Sequence, residues 1–215
     1  MGGSEIGPKD PLFDDYLETE GVVRDAISSI TVLDPSSVPE LNTAALPVKA
    51  GELAAKGDVT MTRAEAAQLA FDLLAADNKD EAYPLDYADV STSSEYAHAI
   101  AYLDSYGLLT RYSREGEDLD GNLFRPNEPI TRAEFAMLLH RLSFKTFPHA
   151  YAAGLENIEY EYWASPYVNY AWHCGWLGLD ENGDIRPDEP ITTTEAVQAL
   201  FVVAEIGYPT PGGGL

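Results

Sequence analysis

The sequence predicts a mainly α-helical protein assembled from three copies of one helix-loop-helix unit, and three observations carry that expectation. A short phrase, Thr62-Arg63-Ala64-Glu65, returns as Thr131-Arg132-Ala133-Glu134 and, altered, as Thr192-Thr193-Thr194-Glu195. Apolar residues at helical spacing follow every copy. A second apolar helical stretch, closed by Gly107 or Gly175, stands upstream of the second and third copies.

The first unit, expected over residues 13–80, is the most eroded. Val22, Val23, Ala26, Ile27 and Ile30 keep helical spacing and suit its leading helix, with Phe13-Asp14-Asp15 as a remnant of an extended start. From Leu33 to Lys56 the chain is broken by Asp34-Pro35 and by Pro39 and Pro47, which reads as a long loop. That loop is either an insertion that covers a groove or a sign that the first unit is built differently. The first phrase then opens a helix whose buried face is Ala66, Leu69, Ala70 and Leu73.

The second unit spans residues 85–146 and the third 150–207. Each begins with a short extended element or turn, Tyr87-Ala88-Asp89-Val90 and Leu155-Glu156-Asn157-Ile158. A leading helix follows, with Ile100 and Leu103 ahead of Gly107 and with Val168 and Ala171 ahead of Gly175. Next come two nearly identical lead-ins, Phe124-Arg125-Pro126-Asn127-Glu128-Pro129-Ile130 and Ile185-Arg186-Pro187-Asp188-Glu189-Pro190-Ile191. Their paired prolines fix an extended path that stops before the cap. The capped helices bury Phe135, Leu138, Leu139 and Leu142, and Ala196, Ala199, Leu200 and Val203. Residues 208–215, rich in Pro and Gly, read as a linker to further domains of a parent protein. Residues 1–215 are otherwise expected to form one domain.

In each phrase Thr followed by Glu three residues later is a capping box: the Thr hydroxyl takes a helix-start amide and the Glu carboxylate reaches back to the Thr amide. Thr62, Thr131 and Thr192 with Glu65, Glu134 and Glu195 are thus explained by folding. Arg63 and Arg132 are not, because a cation in the first turn faces the positive end of the helix dipole at a cost of a few tenths of a kcal/mol. Two accounts remain: a bound anion, or an ion pair with a neighbouring unit's carboxylate. With the capping box intact, Arg132→Ala is expected to leave the fold unharmed. Arg125 and Arg186, each directly before a proline, suit a structural role in the lead-in.

Composition excludes several classes. Thirty-six acidic against 13 basic residues give a formal charge of -23, which disfavours nucleic acid and anionic membranes as partners. Cys174 is the only cysteine, so no intramolecular disulfide forms. No stretch has the length of a membrane span, and the start of the chain lacks the basic and apolar run of a signal peptide. Asp118, Asp120 and Asn122, and Asp180, Asn182 and Asp184, imitate the opening of a calcium loop. Pro129 and Ile191 then stand where its closing Glu belongs, and turns through Gly121 and Gly183 account for both better. The four histidines show no ligand spacing, and no phosphate loop or nucleophile elbow is present, so neither metal, cofactor nor catalysis is expected.

The run from the short extended start through Gly-Leu-Leu to Phe-Arg-Pro-Asn-Glu-Pro-Ile-Thr-Arg-Ala-Glu-Phe resembles the S-layer homology family, most strongly over residues 87–143, well over 155–205, and only in the capped helix over 58–76. The resemblance implies a pseudo-threefold arrangement with the capped helices bundled at the centre. It also implies an extracellular, non-catalytic module that anchors surface proteins to the cell wall. The partner would be a peptidoglycan-linked secondary polysaccharide, often bearing a pyruvate ketal whose carboxylate is the anion for the Arg. By the same resemblance Arg63 and Arg132 would bind ligand, Thr193 would have lost that capacity, and Trp163 and Tyr96 would match the aromatic at the start of the leading helix. Those two aromatics equally suit core packing. The alternative class is a degenerate copy of the fold serving as a spacer or protein-interaction module.

Overall fold

The computed structural model describes residues 40–75, 79–109, 123–143, 155, 157–159 and 162–206, and over these the protein is mainly helical. Six α-helices follow in order: α1 Leu46–Ala54, α2 Arg63–Leu73, α3 Ala97–Ser105, α4 Arg132–Ser143, α5 Ser165–His173 and α6 Thr193–Ile206. A two-residue strand β1, Glu40–Leu41, pairs antiparallel with β2, Leu74–Ala75, with Glu40 opposite Ala75. The segments expected as short extended elements or turns are turns: Val90 N–H donates to the Tyr87 carbonyl at 3.3 Å and Ile158 N–H to the Leu155 carbonyl at 3.1 Å.

The capped helices α2, α4 and α6 begin where the phrase predicts. At Thr62 the box is complete, Glu65 N–H donating to the Thr62 hydroxyl at 3.2 Å and Thr62 N–H to Glu65 Oε2 at 2.9 Å. Thr131 with Glu134 and Thr192 with Glu195 repeat the same two bonds. The leading helices α3 and α5 close on Gly107 and Gly175, both at positive φ, where an added side chain would be strained. Behind each glycine an amide reaches back over the turn, Leu108 to the Leu103 carbonyl at 3.0 Å and Trp176 to the Ala171 carbonyl at 2.8 Å.

The first unit departs from expectation. Helix α1 occupies part of the stretch read as a proline-broken loop, because Pro47 sits in its first turn, where a missing N–H costs nothing and the fixed φ suits a helix start. Gly57, at φ 79°, stands after α1 as Gly107 stands after α3. Leu46, Ala50 and Leu53 bury one face of α1. The periodic segment from Val22 to Ile30, the first calcium-like loop and the terminal linker lie outside the described residues.

Packing crosses unit boundaries. Helix α3 of the second unit packs on α2 of the first, α5 of the third on α4 of the second, and α1 of the first on α6 of the third. The residue before each cap threonine supplies a deeper closure. Ile130 N–H donates to Met61 at 2.9 Å, Met61 N–H to Ile191 at 3.2 Å, and Ile191 N–H to Ile130 at 3.0 Å, so three amides and three carbonyls close a triangle. All three side chains are buried in one core cluster.

Candidate functional site

The three joints between units are where the repeated polar residues meet. At each, the start of one unit's capped helix lies against another unit's lead-in. Arg63 and Ala64 amides donate to the Glu128 and Pro126 carbonyls at 2.9 and 3.0 Å. Arg132 and Ala133 amides donate to Glu189 and Pro187 at 2.9 Å each, and Thr193 N–H donates to Val59 at 2.8 Å. Helix-start amides that lack partners within their own helix are thereby satisfied by another unit.

The arginines continue this docking. Arg63 extends along the second lead-in, its Nε donating to the Phe124 carbonyl at 2.8 Å, its guanidinium carbon 5.0 Å from the Phe124 ring centre, and Nη1 2.5 Å from Glu134 Oε1. Arg132 does the same one unit on, with Nε to the Ile185 carbonyl at 2.8 Å, Nη2 to the Gly178 carbonyl at 2.7 Å, and Nη1 paired with Glu195 Oε1. Glu134 and Glu195 thus divide their carboxylates: Oε2 holds the glutamate's own helix cap and Oε1 takes an arginine from the preceding capped helix. Of the two accounts left open for these arginines, the inter-unit ion pair is the one found.

At the third joint Thr193 replaces the arginine, and its buried hydroxyl donates to the Gly57 carbonyl. The matching glutamate, Glu65, still has a cation on Oε1, but it is Lys56 from the turn after α1, at 2.8 Å. Burial pushes the Glu65 carboxyl up, while Lys56 and the Thr62 amide pull it further down, leaving it below the usual range. The sequence gives little sign of Lys56, because nothing repeats at its position and its partner lies in the following helix.

Burial separates the two expected ligand residues. The Arg132 side chain is only 1% exposed, and its guanidinium engages Glu195 and the Ile185 and Gly178 carbonyls. The Arg63 side chain is 11% exposed and lines a small cleft with Leu108, Leu109, Phe124, Ile130, Glu134, Met137 and Leu138.

The two expected aromatics are half-buried and packed against the core. Tyr96 stands at the start of α3, and its phenol is pushed up by burial, then by Glu95 and Glu65. Trp163 leans on Tyr162, their ring centres 5.6 Å apart. Tyr162 donates to Asp188 at 2.8 Å, and burial and then the Asp188 carboxylate push its phenol up. Tyr162 was not singled out in the sequence; the neighbouring Trp163 was the visible signal. Arg125 and Arg186 adopt φ of 59° and 50° and pair with Glu128 and Glu189 in their own lead-ins, in keeping with a structural role. In the second calcium-like loop, Asp180 accepts the Asn182 and Asp184 amides at 2.8 and 2.9 Å, which makes it a turn. Among the described residues no group of side chains is arranged to hold a metal ion.

Residues 86–136 match the family model of the S-layer homology domain. The match covers the turn at Tyr87, helix α3, the second lead-in and the start of α4. Over 157 residues the chain is 28% identical to Cell surface glycoprotein 1 of Acetivibrio thermocellus, covering 68% of this chain and 6% of that protein. No helix among the described residues is long and apolar enough to cross a membrane.

Proposed function

We propose that this chain is a non-catalytic anchoring module that works outside the cell, holding a larger surface protein to the wall through an anionic polysaccharide linked to peptidoglycan. The S-layer homology match over residues 86–136 points to a wall or surface anchor, and similarity to a surface glycoprotein agrees with it. The closed triangle of Met61, Ile130 and Ile191 supports a pseudo-threefold arrangement as part of this reading.

The observation that carries the ligand assignment is the Arg63 joint. Among the described residues it alone combines a helix-start arginine that keeps some side-chain exposure with an aromatic ring beneath it, Phe124, in a small cleft. A sugar carboxylate fits there because guanidinium accepts a second oxyanion in its plane, and the helix start adds positive potential. At the third joint Lys56 and Tyr96 make a weaker version; at the Arg132 joint the guanidinium is closed to ligand.

The test is sedimentation of the purified chain with cell-wall sacculi, with and without the attached secondary polymer, using wild type and Arg63→Gln. Polymer-dependent binding lost in a folded Arg63→Gln variant is the expected result. Folded wild type that ignores walls from several sources would instead favour a spacer or protein-interaction module. The pairing of both arginines with Glu134 and Glu195 is the observation in favour of that second reading.

A further inference from the structure

The guanidinium in the Arg63 cleft already holds an anion. Glu134 Oε1 stands 2.5 Å from Nη1, while Oε2 of the same carboxylate accepts the Thr131 amide at 2.8 Å and keeps the start of α4 capped. The two oxygens serve different masters, so Oε1 can leave Nη1 with the cap bond unbroken. The Glu134 side chain is 14% exposed, and a released Oε1 meets solvent rather than a closed core.

Arg63 does not depend on that carboxylate for its position. Its Nε donates to the Phe124 carbonyl at 2.8 Å, and its guanidinium carbon lies 5.0 Å from the centre of the Phe124 ring. Backbone and ring hold the group in place, and Nη2 makes no hydrogen bond among the described residues. The Arg132 joint is the contrasting case. There Nε, Nη1 and Nη2 are all engaged, by Ile185, Glu195 and Gly178, and the side chain is 1% exposed.

We propose that Glu134 is an internal competitor at the Arg63 site: a ligand carboxylate takes Nη1 and Nη2 as a two-point pair, and Glu134 Oε1 gives up Nη1 to it. The inference rests on the reading of Arg63 as the ligand contact. Its consequence is an affinity held down from within. An incoming carboxylate meets a neutral pair instead of a free cation, and its binding includes the cost of separating that pair. Glu134→Gln removes the competitor and keeps the cap, because Gln also serves at the third position of a capping box. An amide has one accepting oxygen where a carboxylate has two. With that oxygen on the Thr131 amide, the NH2 group faces Nη1 and can neither neutralise nor hold it.

Two measurements on the full chain test this: acetate titration followed by NMR at the Ala64 and Phe124 amides, and sedimentation with polymer-bearing sacculi. Folded Glu134→Gln is expected to bind acetate about fivefold tighter than wild type, and the polymer tighter as well. The gain is absent from the Arg63→Gln/Glu134→Gln double variant. Equal, weaker or absent acetate binding in folded Glu134→Gln overturns the proposal, as does a gain that survives in the double variant. Tighter acetate binding by a Glu134→Gln chain that ignores sacculi, as wild type then also does, supports the competitor and overturns the anchor reading. Wall binding by wild type with no gain for either probe in Glu134→Gln keeps the anchor and overturns the competitor.

Discussion

The Arg132 joint and the Thr193 joint perform the same connection with different chemistry. At the first, a buried guanidinium spans two backbone carbonyls and the cap glutamate of the third unit. At the second, a threonine hydroxyl takes over one carbonyl bond, and the glutamate's cation comes from Lys56 on the surface. The backbone docking is retained in both. The lesson is that docking and charge neutralisation are separable. A unit that loses its arginine keeps its place through main-chain bonds, and a local lysine takes up the carboxylate.

The largest effect expected from this comparison is on the buried side. Arg132→Ala strands the Ile185 and Gly178 carbonyls and leaves Glu195 with Arg186 as its remaining cation, 3.6 Å away. A loss on the order of 3 kcal/mol follows, a fall in Tm of roughly 6–12 °C by calorimetry. A fall under about 1 °C would make the two joints equivalent and break the comparison.

The next effect is pH dependence at the helix position shared by Phe71 and His140. Burial, with a smaller contribution from Arg141, pushes the His140 imidazole down to about 4 from 6.5. The folded value lies below the unfolded one, so the stabilisation is complete above pH 6.5 and is lost as pH falls toward 4. Denaturant titrations should show on the order of 2–3 kcal/mol lost across that window, and His140→Phe should flatten the loss. An unchanged slope in that variant would place the acid sensitivity elsewhere.

Thr193→Val keeps the shape but removes the donor to Gly57, for about 1 kcal/mol in urea unfolding. Lys56→Ala removes a pair whose lysine is half-exposed, so the expected change is at most about 0.5 kcal/mol and shrinks further with salt. If Lys56→Ala costs as much as Arg132→Ala, the surface lysine is a full replacement rather than a partial one.

Local chemistry explains which parts were legible in the sequence. The boxes at Thr62, Thr131 and Thr192 and the helices they open were readable because capping and amphipathic spacing act over a few residues. Gly107 and Gly175 were readable for the same reason. Helix α1 was hidden because Pro47, a breaker inside a helix, is a starter in its first turn. The partners of the arginines were hidden because Glu134 and Glu195 lie far along the chain and already had an explanation as caps. A carboxylate has two oxygens, and only one of them was accounted for. The lysine at Glu65 was the least legible, since it sits outside the repeated pattern altogether.

The triangle of Met61, Ile130 and Ile191 closes the meeting point of three chain segments. Each amide in it has one acceptor and each carbonyl one donor. A chain that lost a unit by deletion would leave a buried donor and a buried acceptor unmet, each costing about 1–3 kcal/mol. Stacked solenoids grow or shrink by single repeats because their ends stay open. Here the centre is closed on itself, so the three segments that meet there depend on one another, while the helix starts that follow them differ, as Thr193 differs from Arg63 and Arg132.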